Sequence, residues 1–173
     1  MINGQNKKKN REDFLNLVQD HKKIIFKICN SYCKNKSDRE DLAQEIIYQM
    51  WRTFDKYDDA YKFSTWMYRV ALNVAISFYR KTKRSPHTIS IDEHLIEIAD
   101  EADFCADSGN NFSLLQRFIS ELKEMDRALM ILYLEEKSYS EISEILGITE
   151  TNVATKISRI KEKIKQKFNN IQN

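Results

Sequence analysis

A single proline and three glycines in 173 residues leave this chain almost without turn formers. A sandwich, a barrel or a Gly-rich phosphate-binding architecture needs many more tight turns than that. An all-α chain is expected. Hydrophobic residues make up 42% and charged residues 31%, which supplies apolar mass for modest cores inside a polar shell. The length fits one or two small domains, since domains commonly run about 100–150 residues. No stretch approaches the roughly 20 apolar residues of a membrane span, and the longest candidate, 70–79, is interrupted by Asn73 and Ser77. The polar, lysine-rich start lacks the apolar block of a secretory signal, and an odd number of cysteines suits a reducing compartment better than a disulfide framework. A cytoplasmic protein without membrane insertion is expected.

The formal net charge of +2 conceals a division along the chain. Residues 1–84 hold 18 Lys and Arg against 10 Asp and Glu, whereas residues 85–112 hold 7 acids and no Lys or Arg. The last stretch, 150–173, is basic again, with 6 against 2. Two basic ends around an acidic middle fit a polyanion partner at both ends, or solvated helix faces around a linker.

Helical periodicity divides the chain in the same way. Leu15, Val18, Ile25, Ile28 and Cys29 mark a helical stretch over 12–32, bent near Asp20 and His21. Ser37-Asp38-Arg39-Glu40 has the form of a capping box opening a helix to about Phe54. After a loop over 55–62, Ser64 is expected to cap a helix that runs to about Lys83 and stops before Pro86. Residues 85–112 exceed the usual length of a loop inside a domain and are assigned as an interdomain linker, with a short strand or helical turn near Ile89–Ile98. A second helical unit occupies 113–168. Ser138-Tyr139-Ser140-Glu141 is a capping box, Gly147 is the C′ residue, and Thr149 caps the last helix.

Residues 138–161 form a helix-turn-helix pattern: a short capped helix, a turn through Gly147 and a longer basic helix. On that last helix Val153, Ile157, Ile160 and Ile164 share one side, and Thr151, Thr155, Ser158 and Arg159 the other, flanked by Asn152 and Lys156. Short hydroxyls and an arginine facing base edges, with cations beside them for phosphates, suit a helix that enters a DNA groove. An ordinary amphipathic terminal helix with a wet basic face is the alternative. Along the third helix Trp66, Arg69, Asn73, Ser77, Arg80 and Arg84 form one stripe, preceded by the aromatic loop of Tyr57, Asp58, Asp59, Tyr61, Lys62 and Phe63. Cations for phosphates, an amide for an exposed base and aromatic rings for stacking suit melted DNA, although a buried Trp with surface arginines fits the spacing equally. Asp41, Gln44, Glu45, Tyr48 and Arg52 make a polar stripe on the second helix, which fits plain solvation or a basic protein surface. Cys29 and Cys33 lie one turn apart without further ligands for a zinc set, and His87 and His94 have no nucleophile nearby, so neither an enzyme, a metal nor a cofactor is expected.

Three ordered segments carry a family resemblance. Asp38-Arg39-Glu40-Asp41-Leu42-Ala43-Gln44-Glu45 resembles the DLxQE segment of region 2.2 in bacterial sigma factors. Residues 63–73 resemble the FxTWLYRIAxN segment of regions 2.3 and 2.4, and residues 138–161 resemble region 4.2. The chain is similar to group 4 (extracytoplasmic function) sigma factors, which have domains 2 and 4 and lack domain 3. The resemblance implies a region 2 domain over 11–84 and a region 4 domain over 113–168. It implies that Asp41, Leu42, Gln44 and Glu45 contact the clamp helices of the largest subunit of core RNA polymerase. The 57–63 loop with Asn73 and Ser77 would handle the −10 element of promoter DNA, the last helix would read the −35 element, and the helices before it would hold the flap of the other large subunit. An anti-sigma factor is a further partner class that it admits. Asp58-Asp59 stands where the family often has Arg-Gly, and Ala154 where many members carry Lys or Arg. As a flexible coil the 28-residue linker spans roughly 30 Å, and fully extended at most about 95 Å. Its seven acids resemble a polyanion, which suits a basic polymerase channel otherwise used by nucleic acid. A stand-alone helix-turn-helix regulator that dimerises through its first unit is the alternative reading.

Overall fold

A computed structural model describes residues 10–84 and 110–172, which form eight α-helices and no strand. The first unit contains α1 (Arg11–Asp20), α2 (Lys22–Tyr32), α3 (Lys36–Thr53), a 3-10 turn (Phe54–Lys56) and α4 (Phe63–Arg84). The second contains α5 (Asn110–Ser120), α6 (Glu124–Leu134), α7 (Tyr139–Leu146) and α8 (Glu150–Gln172). Most of the expected linker, the Ile89–Ile98 expectation, His87, His94 and Cys105 lie outside the described residues.

In the first unit α2, α3 and α4 pack on one another around Ile28, Leu42, Ile46, Met50, Met67 and Ala71, all closed to solvent. In the second, α6, α7 and α8 enclose Leu129, Leu132, Ile142, Ile145, Val153 and Ile157. Each such valine, leucine, isoleucine or methionine contributes about 1.5–3 kcal/mol on burial, so the stripes of apolar residues decide where the helices meet. Cys29 and Cys33 belong to the first core. Burial pushes their thiols up to about 12 and about 11, which leaves both protonated and inert at neutral pH.

The helix ends show where side-chain chemistry overrides pattern. The bend expected near His21 is a break: His21 ends α1, and its Nδ1 lies 2.9 Å from the Leu17 carbonyl oxygen. The cap of α3 is Asn35, not Ser37; its Oδ1 accepts from the Asp38 amide at 2.8 Å, and its amide donates to the Asp38 carboxylate at 2.9 Å. An earlier cap serves α3 because Asn35 is extended, at φ −93° and ψ 159°, while Ser37 is already helical. Likewise α4 starts at Phe63, with the Lys62 carbonyl accepting from Thr65 and Trp66, so Ser64 lies inside the first turn. The Ser138–Glu141 capping box of α7 is as expected, with both reciprocal bonds near 3 Å. Gly147 takes the left-handed conformation, φ 67° and ψ 35°, that turns the chain from α7 into α8. Thr149 then accepts from the Asn152 amide at 3.2 Å.

The two units pack against each other. α2 and α4 of the first meet α5, α6 and α7 of the second, and the buried residues of both join in one cluster.

Candidate nucleic-acid interface

The outer face of α8 presents Thr151, Asn152, Thr155, Lys156, Ser158 and Arg159, all exposed, while Val153, Ile157, Ile160 and Ile164 on its inner face are buried. Stacking of α8 on α6 and α7 holds this face outward. Lys156 sits 3.9 Å from Asp126 of α6, a contact of the same unit that a phosphate would compete with. Behind this face, Lys161 donates to the Tyr133 hydroxyl at 3.2 Å and lies over its ring, while Phe118 and Phe168 meet edge to face at 5.0 Å. Both contacts tie α8 to its own unit.

The aromatic loop before α4 is folded differently from its expectation. Tyr57, Phe63 and Trp66 form a cluster with ring centroids 5.2–5.4 Å apart, backed by Phe54 and His21. Phe63 is buried, so it braces the loop and offers no ring to a base; Tyr57 and Trp66 are half-buried. Tyr61 remains, 57% exposed, its carbonyl oxygen accepting from the Tyr57 hydroxyl at 2.7 Å. Asp58 shapes the turn: its carboxylate accepts from the Ala60 amide at 3.0 Å, and its carbonyl from the Tyr61 amide at 3.1 Å. Burial, then the carboxylates of Asp59 and Asp58, push the Tyr57 hydroxyl up from its ordinary range. Asp59 and Lys62 are exposed at the loop surface.

Along α4, Arg69, Asn73 and Ser77 are exposed on the outer stripe, whereas Arg80 donates to Glu124 of the second unit at 2.8 Å. That bond holds the Glu124 carboxyl below its usual range. An open groove of about 690 Å³ runs between α3 and α4, walled by Asp41, Glu45, Asn73, Ser77 and Lys81. The two stripes expected to serve different partners therefore share one channel.

On α3, Asp41, Gln44 and Glu45 are exposed, with Glu45 accepting from Gln49 at 2.7 Å. Leu42 is fully buried in the first core. Its side chain cannot form part of a docking face; it seats the helix that displays one. Beside the polar stripe stand Ile47 and Trp51, 38% and 44% exposed. Sequence reasoning missed them, although two large apolar residues four apart on a polar face were a readable signal. It also missed Arg127 of α6, which is 2% exposed between the rings of Tyr32 and Tyr79.

Comparison with known proteins fits this geometry. The family model for sigma-70 region 2 matches residues 17–85, and that for sigma-70 region 4 matches residues 112–164. The chain is 30% identical to the ECF RNA polymerase sigma factor SigW of Bacillus subtilis over 177 aligned residues, covering 96% of this chain and 95% of that one. This chain belongs to the ECF sigma factors. Two solved structures share the fold. CnrH in complex with the cytosolic domain of CnrY has a TM-score of 0.67 and 18% identity, covering 95% of this chain and 93% of that one. The sigma factor RpoE in complex with the anti-sigma factor NepR from Bartonella quintana has a TM-score of 0.68 and 16% identity, covering 90% and 96%. As a sigma factor the chain directs transcription initiation. No helix among the described residues is long and apolar enough to cross a membrane.

Proposed function

We propose that this sigma factor joins core RNA polymerase in the cytoplasm and directs it to promoters with two separate elements. α8 enters the major groove of a duplex −35 element, with Arg159 toward base edges and Lys156 toward phosphate. The outer stripe of α4, with Arg69, Asn73, Ser77 and Arg80, follows the separated −10 strand, and the 57–62 loop presents Tyr61 to an unstacked base. The exposed acids of α3, Asp41 and Glu45 with Gln44 between them, hold the clamp helices of the largest subunit, with Ile47 and Trp51 as an apolar margin. The first helices of the second unit take the flap of the other large subunit. The 11–84 and 113–168 units are thereby separate grips, and the acidic 85–112 segment between them follows a basic polymerase channel. An anti-sigma factor is a partner class in keeping with the relative crystallised with one.

The observation that carries this reading is the outward polar face of α8 behind a fully capped helix-turn-helix, on a different unit from the α4 stripe. Such a pair of faces fits two unlike DNA elements, whereas a dimeric regulator would repeat one reading helix on a palindrome. Purified core enzyme with this chain and a promoter library tests it by run-off transcription. Asp41→Arg is expected to fold normally and to lose holoenzyme assembly at least tenfold; assembly at the wild-type level by Asp41→Arg overturns the assignment of α3.

A further inference from the structure

The cations of α8 are not equally available. Lys161 lies over the Tyr133 ring and donates to its hydroxyl, and Lys167 pairs with Glu121 of α5. Both border the buried stripe and serve the packing of their own unit. Lys163 and Lys165 are exposed and have no ion pair among the described residues. Lys156 is a third case. It stands on the outer flank, beside the face that carries Thr155 and Arg159, yet its Nζ lies 3.9 Å from the Asp126 carboxylate.

The two partners differ in freedom. Asp126 is in the first turn of α6, followed by the buried Arg127 and Ala128, and α6 packs along α8. Its short side chain, 22% exposed, is a fixed acceptor at the edge of the packed unit. Lys156, 45% exposed, carries its charge on a flexible four-carbon stem that can turn toward either of two anions. An acid in a helix's first turn suits the helix dipole, which accounts for a carboxylate at this position. The dipole does not account for its facing the one lysine that flanks the outer face at mid-helix.

We propose that Asp126 stands in for a DNA phosphate at Lys156, and so sets how tightly, and with what salt dependence, α8 holds a duplex of any sequence. This rests on the reading of α8 as the duplex-binding helix. Asp126 is then a positioning residue that acts through Lys156 and touches no base. The ion balance makes the proposal specific. When a lysine engages a phosphate, the phosphate releases a condensed cation, and that release makes binding salt-dependent. Here the carboxylate that Lys156 leaves behind draws a cation back from solution. The net release at this contact is close to zero. Without the carboxylate nothing takes the ion up, and the contact contributes to affinity in full.

Fluorescence anisotropy of the full chain on a labelled mixed-sequence duplex, over a range of salt, tests this. Because the effect is independent of sequence, no promoter element is needed in the probe. At low salt Asp126→Asn should bind roughly two- to fivefold more tightly than wild type, the range of a partly exposed ion pair. The slope of log affinity against log salt should steepen by about 0.9, the value of one added phosphate contact. Asp126→Ser, also neutral and suited to a helix start, should act in the same way, with helicity retained in circular dichroism. A change of packing alone would leave the salt slope where it was. The gain should vanish in a Lys156→Gln background and persist in a Lys163→Gln background. Wild-type affinity and slope in both Asp126 variants, or a gain that survives Lys156→Gln undiminished, overturns the role of Asp126. If Lys156→Gln itself binds the duplex as wild type does, the flank of α8 is not on DNA and the functional reading of that face fails. If Lys156→Gln weakens binding while the Asp126 variants change nothing, only the present inference fails.

Discussion

Two single residues show how backbone and burial decide what a sequence pattern leaves open. Glu136, just after α6, has φ 56°, a left-handed conformation that disfavours a side chain with a Cβ. Glu136→Gly should therefore raise stability by about 0.5–1 kcal/mol in chemical denaturation. Gly147→Ala should lower it by about 1 kcal/mol; a Cβ there meets nothing within 4 Å, so backbone strain alone is responsible. The buried thiols predict an alkaline limit. Cys29 and Cys33 keep their protons in the fold to about pH 12 and 11, whereas an unfolded chain releases them near 9. The unfolded state then binds fewer protons, so stability should fall as pH rises above about 9. Denaturation midpoints at pH 8 and 10, compared with those of a Cys29→Ser/Cys33→Ser chain, should show that slope reduced in the variant. The residue scale is also where the sequence was hardest to interpret. Leu42 and Phe63 stand inside segments that resemble functional motifs, yet both are core residues, because one amphipathic helix turns some of its positions to the core and displays the others. Nothing in the spacing of α6 singles out Arg127; only tertiary packing places two rings and three carbonyls around it.

At the scale of elements, periodicity located the helical stretches, but it read α1 and α2 as one bent helix over 12–32 where His21 divides two, and it misplaced some helix ends. The α8 stripe and the Ser138 box were legible because three independent signals agreed: apolar spacing, cap chemistry and a C′ glycine. The start of α3 was misplaced by two residues, since Asn35 and Ser37 are both good caps and only the backbone distinguishes them. Ser37→Ala should accordingly leave stability within about 0.5 kcal/mol, while Asn35→Ala should cost about 1 kcal/mol. Thermal melts of the two variants check this, and the reverse order would restore Ser37 as the cap. The aromatic loop was legible as a loop, but its internal folding was not: sequence spacing cannot tell a ring offered to solvent from one stacked on its neighbours.

At the scale of the molecule, the charge division and the three ordered motifs were enough to read two helical units and their family. What they could not convey is that the units touch. That contact depends on Arg127, Tyr32 and Tyr79, which lie far apart in sequence and belong to no motif. The exposed faces of α3, α4 and α8 point to one account, in which a sigma factor grips polymerase and two unlike stretches of promoter. The most direct test is run-off transcription with core polymerase from templates in which either the −35 or the −10 element is scrambled. Wild type should lose its specific start with either scramble. Arg159→Ala should still assemble and still require the −10 element, but should respond less than twofold to scrambling the −35 element. If Arg159→Ala discriminates the −35 element as sharply as wild type, or if the wild type is indifferent to both scrambles, the account is contradicted.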